Sequence, residues 1–227
     1  MDPNKRHVLI SKSLSKLLRH QAVKENLDID EQGFVPLDQL LNHRYLKSLN
    51  ASPQDIFWVV NNNEKKRFRI AFKSDDQFSD SQTYDPLKEY FVCALQGHSL
   101  SMVNDSYNMV KLTSGSLPET IVHGTYLKNL EAIRTSGGLS KMKRNHIHFA
   151  KGLPAWLNDA SAEPIISGMR KSCNLLIFLD VEKLRKSPLV FYESGNGVIL
   201  TPGDENGIVS THFFLKVTDT KGNPIAF

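Results

Sequence analysis

Apolar residues recur at helical spacing near the start of the chain: Ile10, Leu14, Leu17, Leu18 and Ala22 mark one face of a helix read from Leu9 to Val23. Arg19 and His20 follow that stripe directly. After Gly33, Pro36 suits the first turn of a short helix through Leu41, and Ser52-Pro53 with Asp55 reads as a helix start leading into Ile56-Phe57-Trp58-Val59-Val60. The period then changes to two. In Arg67-Phe68-Arg69-Ile70-Ala71-Phe72 the arginines fall on one strand face and Phe68, Ile70 and Phe72 on the other, and Tyr90 to Leu95 reads as the partner strand.

Three helices followed by a hairpin predict a winged-helix module, with Lys73 to Glu89 as a polar, mobile wing tip and 74–89 as a flexible insertion. From Val110 onward strands separated by loops take over. One helix, Leu127 to Arg134, is ended by Gly137-Gly138, and strands are predicted at Ile147-His148-Phe149, Leu175 to Val181, Val190-Phe191-Tyr192, Val198 to Leu200 and Phe213 to Val217. The expected class is α+β in two lobes, 1–98 and 99–227, the second rich in β structure.

The 227 residues permit one large domain or two small ones, each able to bury a core. With 40% hydrophobic and 23% charged residues, neither a disordered chain nor a membrane protein is expected. No run approaches the roughly 20 apolar residues of a membrane helix, and Met1 to Lys12 lacks the apolar centre of a signal peptide. The expectation is a monomer of the cytoplasm or nucleus with no membrane partner. Cys93 and Cys173 lie in apolar surroundings without CxxC spacing, which predicts reduced, buried thiols and no metal site. Charge is uneven: residues 1–73 hold 13 Lys or Arg against 8 Asp or Glu, while 74–97 hold 1 against 5. A basic first third suits a phosphate-bearing polymer, although five surplus charges are weak evidence alone.

Candidate chemistry falls where cationic or hydrogen-bonding side chains adjoin Gly or a strand end. The segments are Leu18-Arg19-His20, Arg67-Phe68, Gln96-Gly97-His98-Ser99, His123-Gly124-Thr125, Gly138 to His148, and Asn196-Gly197-Val198. Singly, each has an ordinary rival: a solvated helix edge for Arg19 and His20, a polar strand face for Arg67 and Arg69, a sheet histidine for His123 or His148. In this order, from Leu9 to about Leu200, they resemble the NAD⁺-dependent RNA 2′-phosphotransferase family of tRNA splicing.

The resemblance implies an amino-terminal winged-helix lobe for RNA and a carboxyl-terminal ADP-ribosyltransferase-like lobe for NAD⁺. It also implies a catalytic group of Arg19, His20, Arg67 and Arg144, with NAD⁺ bound through His123, Gly124, Thr125, Ser140, His148 and Asn196. The implied reaction has two steps and needs no metal. An internal RNA 2′-phosphate first displaces nicotinamide from NAD⁺, and the adjacent ribose hydroxyl then attacks that phosphate. The products are 2′-hydroxyl RNA and ADP-ribose 1″,2″-cyclic phosphate. Arginine suits such a phosphate because its planar fork stays charged and can hold two oxygens. Histidine, with a pKa near 6.5, suits the proton transfer. Val198 stands where other ADP-ribosyltransferases carry a glutamate, an absence that fits an anionic acceptor. Two rivals remain: a transferase that stops after the first step, and a noncatalytic RNA-binding protein.

Overall fold

The first helix begins earlier than its apolar stripe. In α1 (Pro3–Lys16) the Asp2 carboxylate accepts from the Asn4 N–H at 3.0 Å, and Pro3 occupies the first turn, where its missing N–H costs nothing. A computed structural model of the chain describes residues 2–75, 77–157 and 169–227, in two compact units, Met1–Asn108 and Met109–Phe227. That division falls ten residues beyond the one expected from sequence. The fold is mixed α/β, built on several antiparallel sheets.

In the first unit, α1 is followed by β1 (Val35–Pro36), α2 (Leu37–Asn42), α3 (Arg44–Lys47) and α4 (Pro53–Asn61). Then come β2 (Phe68–Ser74), β3 (Gln77–Asp80) and β4 (Tyr90–Ala94), giving an antiparallel sheet of order β1-β4-β2-β3. The start of α4 is the one the sequence announces. Asp55 N–H donates to Ser52 Oγ at 3.2 Å, and Ser52 N–H returns to Asp55 Oδ2 at 2.8 Å, a reciprocal cap. Ile10, Leu14, Leu17, Leu18, Leu40, Leu46 and Ile56 meet beneath the sheet, all with no solvent exposure.

Part of the segment expected to be a flexible insertion is drawn into this sheet as β3. Phe78 stacks on Phe34 with ring centroids 4.0 Å apart and meets Phe91 edge-on, burial that its Asp- and Ser-rich neighbours conceal. Beyond β3, the Tyr90 hydroxyl donates to the Thr83 carbonyl at 3.2 Å and accepts from the Asp85 N–H at 3.0 Å. Arg69 pairs with Asp80 across the strands, as a polar strand face should.

The second unit holds β5 (Met109–Leu112), β6 (Val122–Thr125), α5 (Leu130–Thr135), β7 (Gly138–Ser140), β8 (Ile147–Phe149), β9 (Leu175–Leu179) and α6 (Val181–Arg185). After these come β10 (Phe191–Ser194), β11 (Ile199–Thr201), β12 (Ile208–Ser210) and β13 (Phe214–Thr218). They form antiparallel sheets of order β5-β10-β11-β8, β13-β9-β6 and β12-β7. Val122 and Ala150 exchange backbone bonds of 3.0 and 2.9 Å, tying β6 to the end of β8. Ile121, Phe149, Leu175, Ile177, Ile199 and Val209 fill the space between. Cys93 and Cys173 are free and buried. Among the described residues no helix is long and apolar enough to cross a membrane.

Asp55 links cap and tertiary structure. Burial alone would raise its pKa, but hydrogen bonds from Arg6, from Ser52 and from His7 outweigh this and hold the carboxyl well below the usual range. A depressed pKa stabilises the fold at pH values above the unfolded carboxyl's, near 3.9, and that contribution disappears as pH falls below it. Asp55→Ala is expected to destabilise the protein by about 2 kcal/mol at pH 7. Urea unfolding should show this deficit shrinking as the pH is lowered below about 4.

Candidate active site

Arg19 and His20 stand where the first helix widens. Leu17–Gln21 is a π-helical turn that closes with an Ala22 N–H to Leu17 carbonyl bond of 2.9 Å. Such turns take in one extra residue and re-aim those that follow. Here Leu17, Leu18 and Ala22 stay buried, Arg19 is half-buried and His20 is exposed.

The chain leaving β4 gathers the other members of a cationic cluster. Leu95 N–H donates to the Arg67 carbonyl and Ser99 N–H to the Arg19 carbonyl, each at 2.9 Å. The Ser99 hydroxyl lies 2.9 Å from His20 Nδ1. Between them, Gly97 has φ +89°, and a Cβ there would sit 3.4 Å from Arg19 Nε and 3.5 Å from Cζ, so the glycine backbone lies directly against the guanidinium. Gln96 and His98 on either side are buried. Arg67 is half-buried and donates from Nη1 to Asn63 Oδ1 at 3.3 Å. Loss of water lowers its pKa, yet an arginine so perturbed stays protonated at neutral pH. The 95–99 segment is thus attached to the backbones of Arg67 and Arg19 and to the His20 ring.

The remaining candidates lie in the second unit. His123 on β6 has its Nδ1 2.8 Å from the His148 carbonyl. A carbonyl can only accept, so Nδ1 carries the proton. Burial pushes the imidazole below its ordinary pKa, and the Arg144 charge adds to this against the His148 hydrogen bond. The ring is therefore neutral at pH 7, and its Nε2 is an acceptor suited to a hydroxyl.

Gly124 is closely packed within the protein. A Cβ there would meet Met169 Sδ at 2.6 Å and Cys173 Sγ at 3.1 Å. Thr125 is buried, and its Oγ1 accepts from Asn129 Nδ2 at 3.1 Å, which leaves its own proton to donate. Ser140 Oγ accepts from the Met142 N–H at 3.1 Å in the turn that leads to Arg144. Asn196, 4% exposed, accepts from Ser194 Oγ at 2.7 Å and so braces its own turn, while Val198 is 1% exposed.

Arg144 remains exposed, but partial desolvation and the neighbouring Arg170 charge both push its pKa down. Arg170 follows Met169, the residue seated on Gly124, and the same stretch is pinned by a 2.8 Å hydrogen bond between Tyr126 and Ser172. Sequence reading missed Arg170 because no local motif marks it. It also left Ser99 without a role. Among the described residues there is no group of three or more His, Cys, Asp or Glu placed to hold a metal ion.

Arginine side chains beside a backbone turn suit the holding of phosphate, and comparison with known proteins supplies the family. Residues 5–203 match the RNA 2′-phosphotransferase, Tpt1 / KptA family. The chain is 38% identical over 219 residues to tRNA 2′-phosphotransferase 1 of Danio rerio, covering 96% of this chain and 88% of that protein. It is 39% identical over 208 residues to tRNA 2′-phosphotransferase of Saccharomyces cerevisiae, covering 88% and 81%. The human tRNA 2′-phosphotransferase 1 is 37% identical over 210 residues, covering 92% and 74%. The chain belongs to the RNA 2′-phosphotransferase family.

The Gly124 contact gives a test of this packing. Gly124→Ala should cost roughly 1 to 3 kcal/mol through overpacking against Met169 and Cys173. Adding Met169→Ala should make the glycine substitution nearly neutral relative to Met169→Ala alone. Thermal unfolding of the four proteins measures the coupling, and strictly additive losses would rule out the contact.

Proposed function

We propose that the protein removes an internal 2′-phosphate from RNA, tRNA after splicing ligation being the intended substrate, by transfer to NAD⁺ as co-substrate. The observation that carries this reading is the convergence of Arg19, His20 and Arg67 on residues 95–99 in a chain of this family. The helices and antiparallel sheet of the first unit support its reading as a winged-helix RNA lobe. The β-rich second unit, with His123 and His148 bonded side by side, supports its reading as an ADP-ribosyltransferase-like lobe.

The residues present fit NAD⁺. His123 offers a neutral acceptor to a ribose hydroxyl, Thr125 and Ser140 offer hydroxyls, and the His148 backbone adjoins the His123 ring. Gly124 and Asn196 act by shaping the backbone around those groups. NAD⁺ supplies an electrophilic ribose carbon with nicotinamide as leaving group.

The 2′-phosphate oxygen bonds to that carbon as nicotinamide departs, leaving the phosphate bridging RNA and ADP-ribose. In the second step the neighbouring ribose hydroxyl bonds to phosphorus and the RNA 2′-oxygen leaves, with one proton lost and one gained. The family resemblance assigns Arg19, Arg67 and Arg144 to the phosphate oxygens, whose negative charge grows in this step, and preorganised donors of that kind are worth about 3 to 4 kcal/mol each. His20 moves the proton, a contribution of roughly 10²- to 10⁴-fold.

The deciding experiment incubates purified protein with NAD⁺ and a short RNA carrying one internal 2′-phosphate, with chelator present. The phosphate should be lost only when NAD⁺ is added, with cyclic phosphate as product. Release of inorganic phosphate without NAD⁺ would identify a phosphatase instead. Arg19→Ala and Arg144→Ala should accumulate RNA joined to ADP-ribose through its 2′-phosphate, and lysine at either position should rescue only in part. Unreacted RNA in both alanine variants would move these arginines to binding or to the first step.

A further inference from the structure

His20 is an exposed residue in a widened helical turn. One hydrogen-bonding partner of its ring is a residue distant in sequence. Ser99 Oγ lies 2.9 Å from His20 Nδ1, while the same residue's N–H donates to the Arg19 carbonyl at 2.9 Å. The hydroxyl also stands 3.5 Å from that carbonyl and can donate to it. One serine therefore grips the backbone of Arg19 and the side chain of His20 together.

We propose that Ser99 is the positioning residue for His20. Resting on the role proposed above for His20, it commits Nδ1 so that proton exchange falls to Nε2. The second contact of the hydroxyl, with the Arg19 carbonyl, offers a polarity. When the Ser99 proton is directed at the Arg19 carbonyl, Oγ presents a lone pair to Nδ1 and selects the tautomer with hydrogen on Nδ1. The neutral ring then carries its free electron pair on Nε2, which is the form a base requires. A ring held at one nitrogen also loses less freedom on reaching the transition state than one that rotates.

Gly97 supports the same arrangement. Its positive φ turns the chain between Leu95 and Ser99, and the absence of a Cβ lets the loop lie on the Arg19 guanidinium. The loop thus sets the arginine and the histidine at a fixed separation, with Ser99 as its last point of attachment.

Ser99→Ala, Ser99→Thr, His20→Ala and the double variant Ser99→Ala/His20→Ala provide the test. In the full-length protein without substrates, ¹⁵N NMR of the His20 ring should show mainly the Nδ1–H tautomer. That preference should be lost in Ser99→Ala and restored in Ser99→Thr. With the 2′-phosphorylated RNA and NAD⁺, Ser99→Ala should lower kcat about tenfold, the effect of one lost hydrogen bond. KM for either substrate should change less than about twofold, since a positioning group acts on the chemical step, and adding Ser99→Ala to His20→Ala should cost nothing further. An unchanged tautomer in Ser99→Ala, or an equal loss from Ser99→Ala in both backgrounds, would overturn the proposal. If His20→Ala instead retains full activity while the tautomer does follow Ser99, the contact stands and the catalytic role of His20 fails.

Discussion

Two backbone hydrogen bonds, from Leu95 to Arg67 and from Ser99 to Arg19, hold the candidate site of the first unit together. Their importance follows from charge. Like-charged side chains do not gather by themselves, and partial burial of Arg67 adds a desolvation cost. Side-chain bonds among the cations cannot offset this, because arginine has donors and no acceptor. The attachment has to come from backbone that is already fixed. β4 provides it, since its register with β2 sets Phe68 opposite Ala94 and so delivers Leu95 to the Arg67 carbonyl.

The second unit meets the same problem with different materials. His123 is kept neutral by burial and oriented by a backbone carbonyl, so it adds no charge beside Arg144. The bridge between Val122 and Ala150 aligns β6 with the end of β8, which is what brings the His148 carbonyl to the His123 ring. A one-residue slip would turn His123 to the opposite face and break that bond. The packing of Met169 and Cys173 on Gly124 fixes where the following Arg170 lies.

Much of this organisation could be read from residue order. Ser52, Pro53 and Asp55 specify the start of α4 through chemistry confined to four residues, and Phe68, Ile70 and Phe72 specify β2 by simple alternation. Among the strands that escaped notice, β1 is two residues long and β5, β6, β7 and β12 are three or four. That is too short for a period of two to stand out, and their pairing is decided by distant partners. β3 escaped because acidic and hydroxyl residues surround its one anchoring ring, Phe78. The π-helical turn was invisible, since the Leu14, Leu17, Leu18 stripe also satisfies an ordinary helix. Gly124 stood out as a glycine, but the reason for it lay in Met169 and Cys173, some fifty residues further on.

The perturbed groups share a direction that bears on substrate choice. Arg67 and Arg144 both have their pKa values lowered by lost hydration, and Arg170 presses further on Arg144. Each guanidinium is thus less stable as a cation than it would be in water. A phosphate dianion relieves that strain directly, whereas a neutral acceptor such as water or a hydroxyl does not. The Glu64 carboxylate offsets part of that loss at Arg67, whereas Arg144 has a second arginine charge beside it instead.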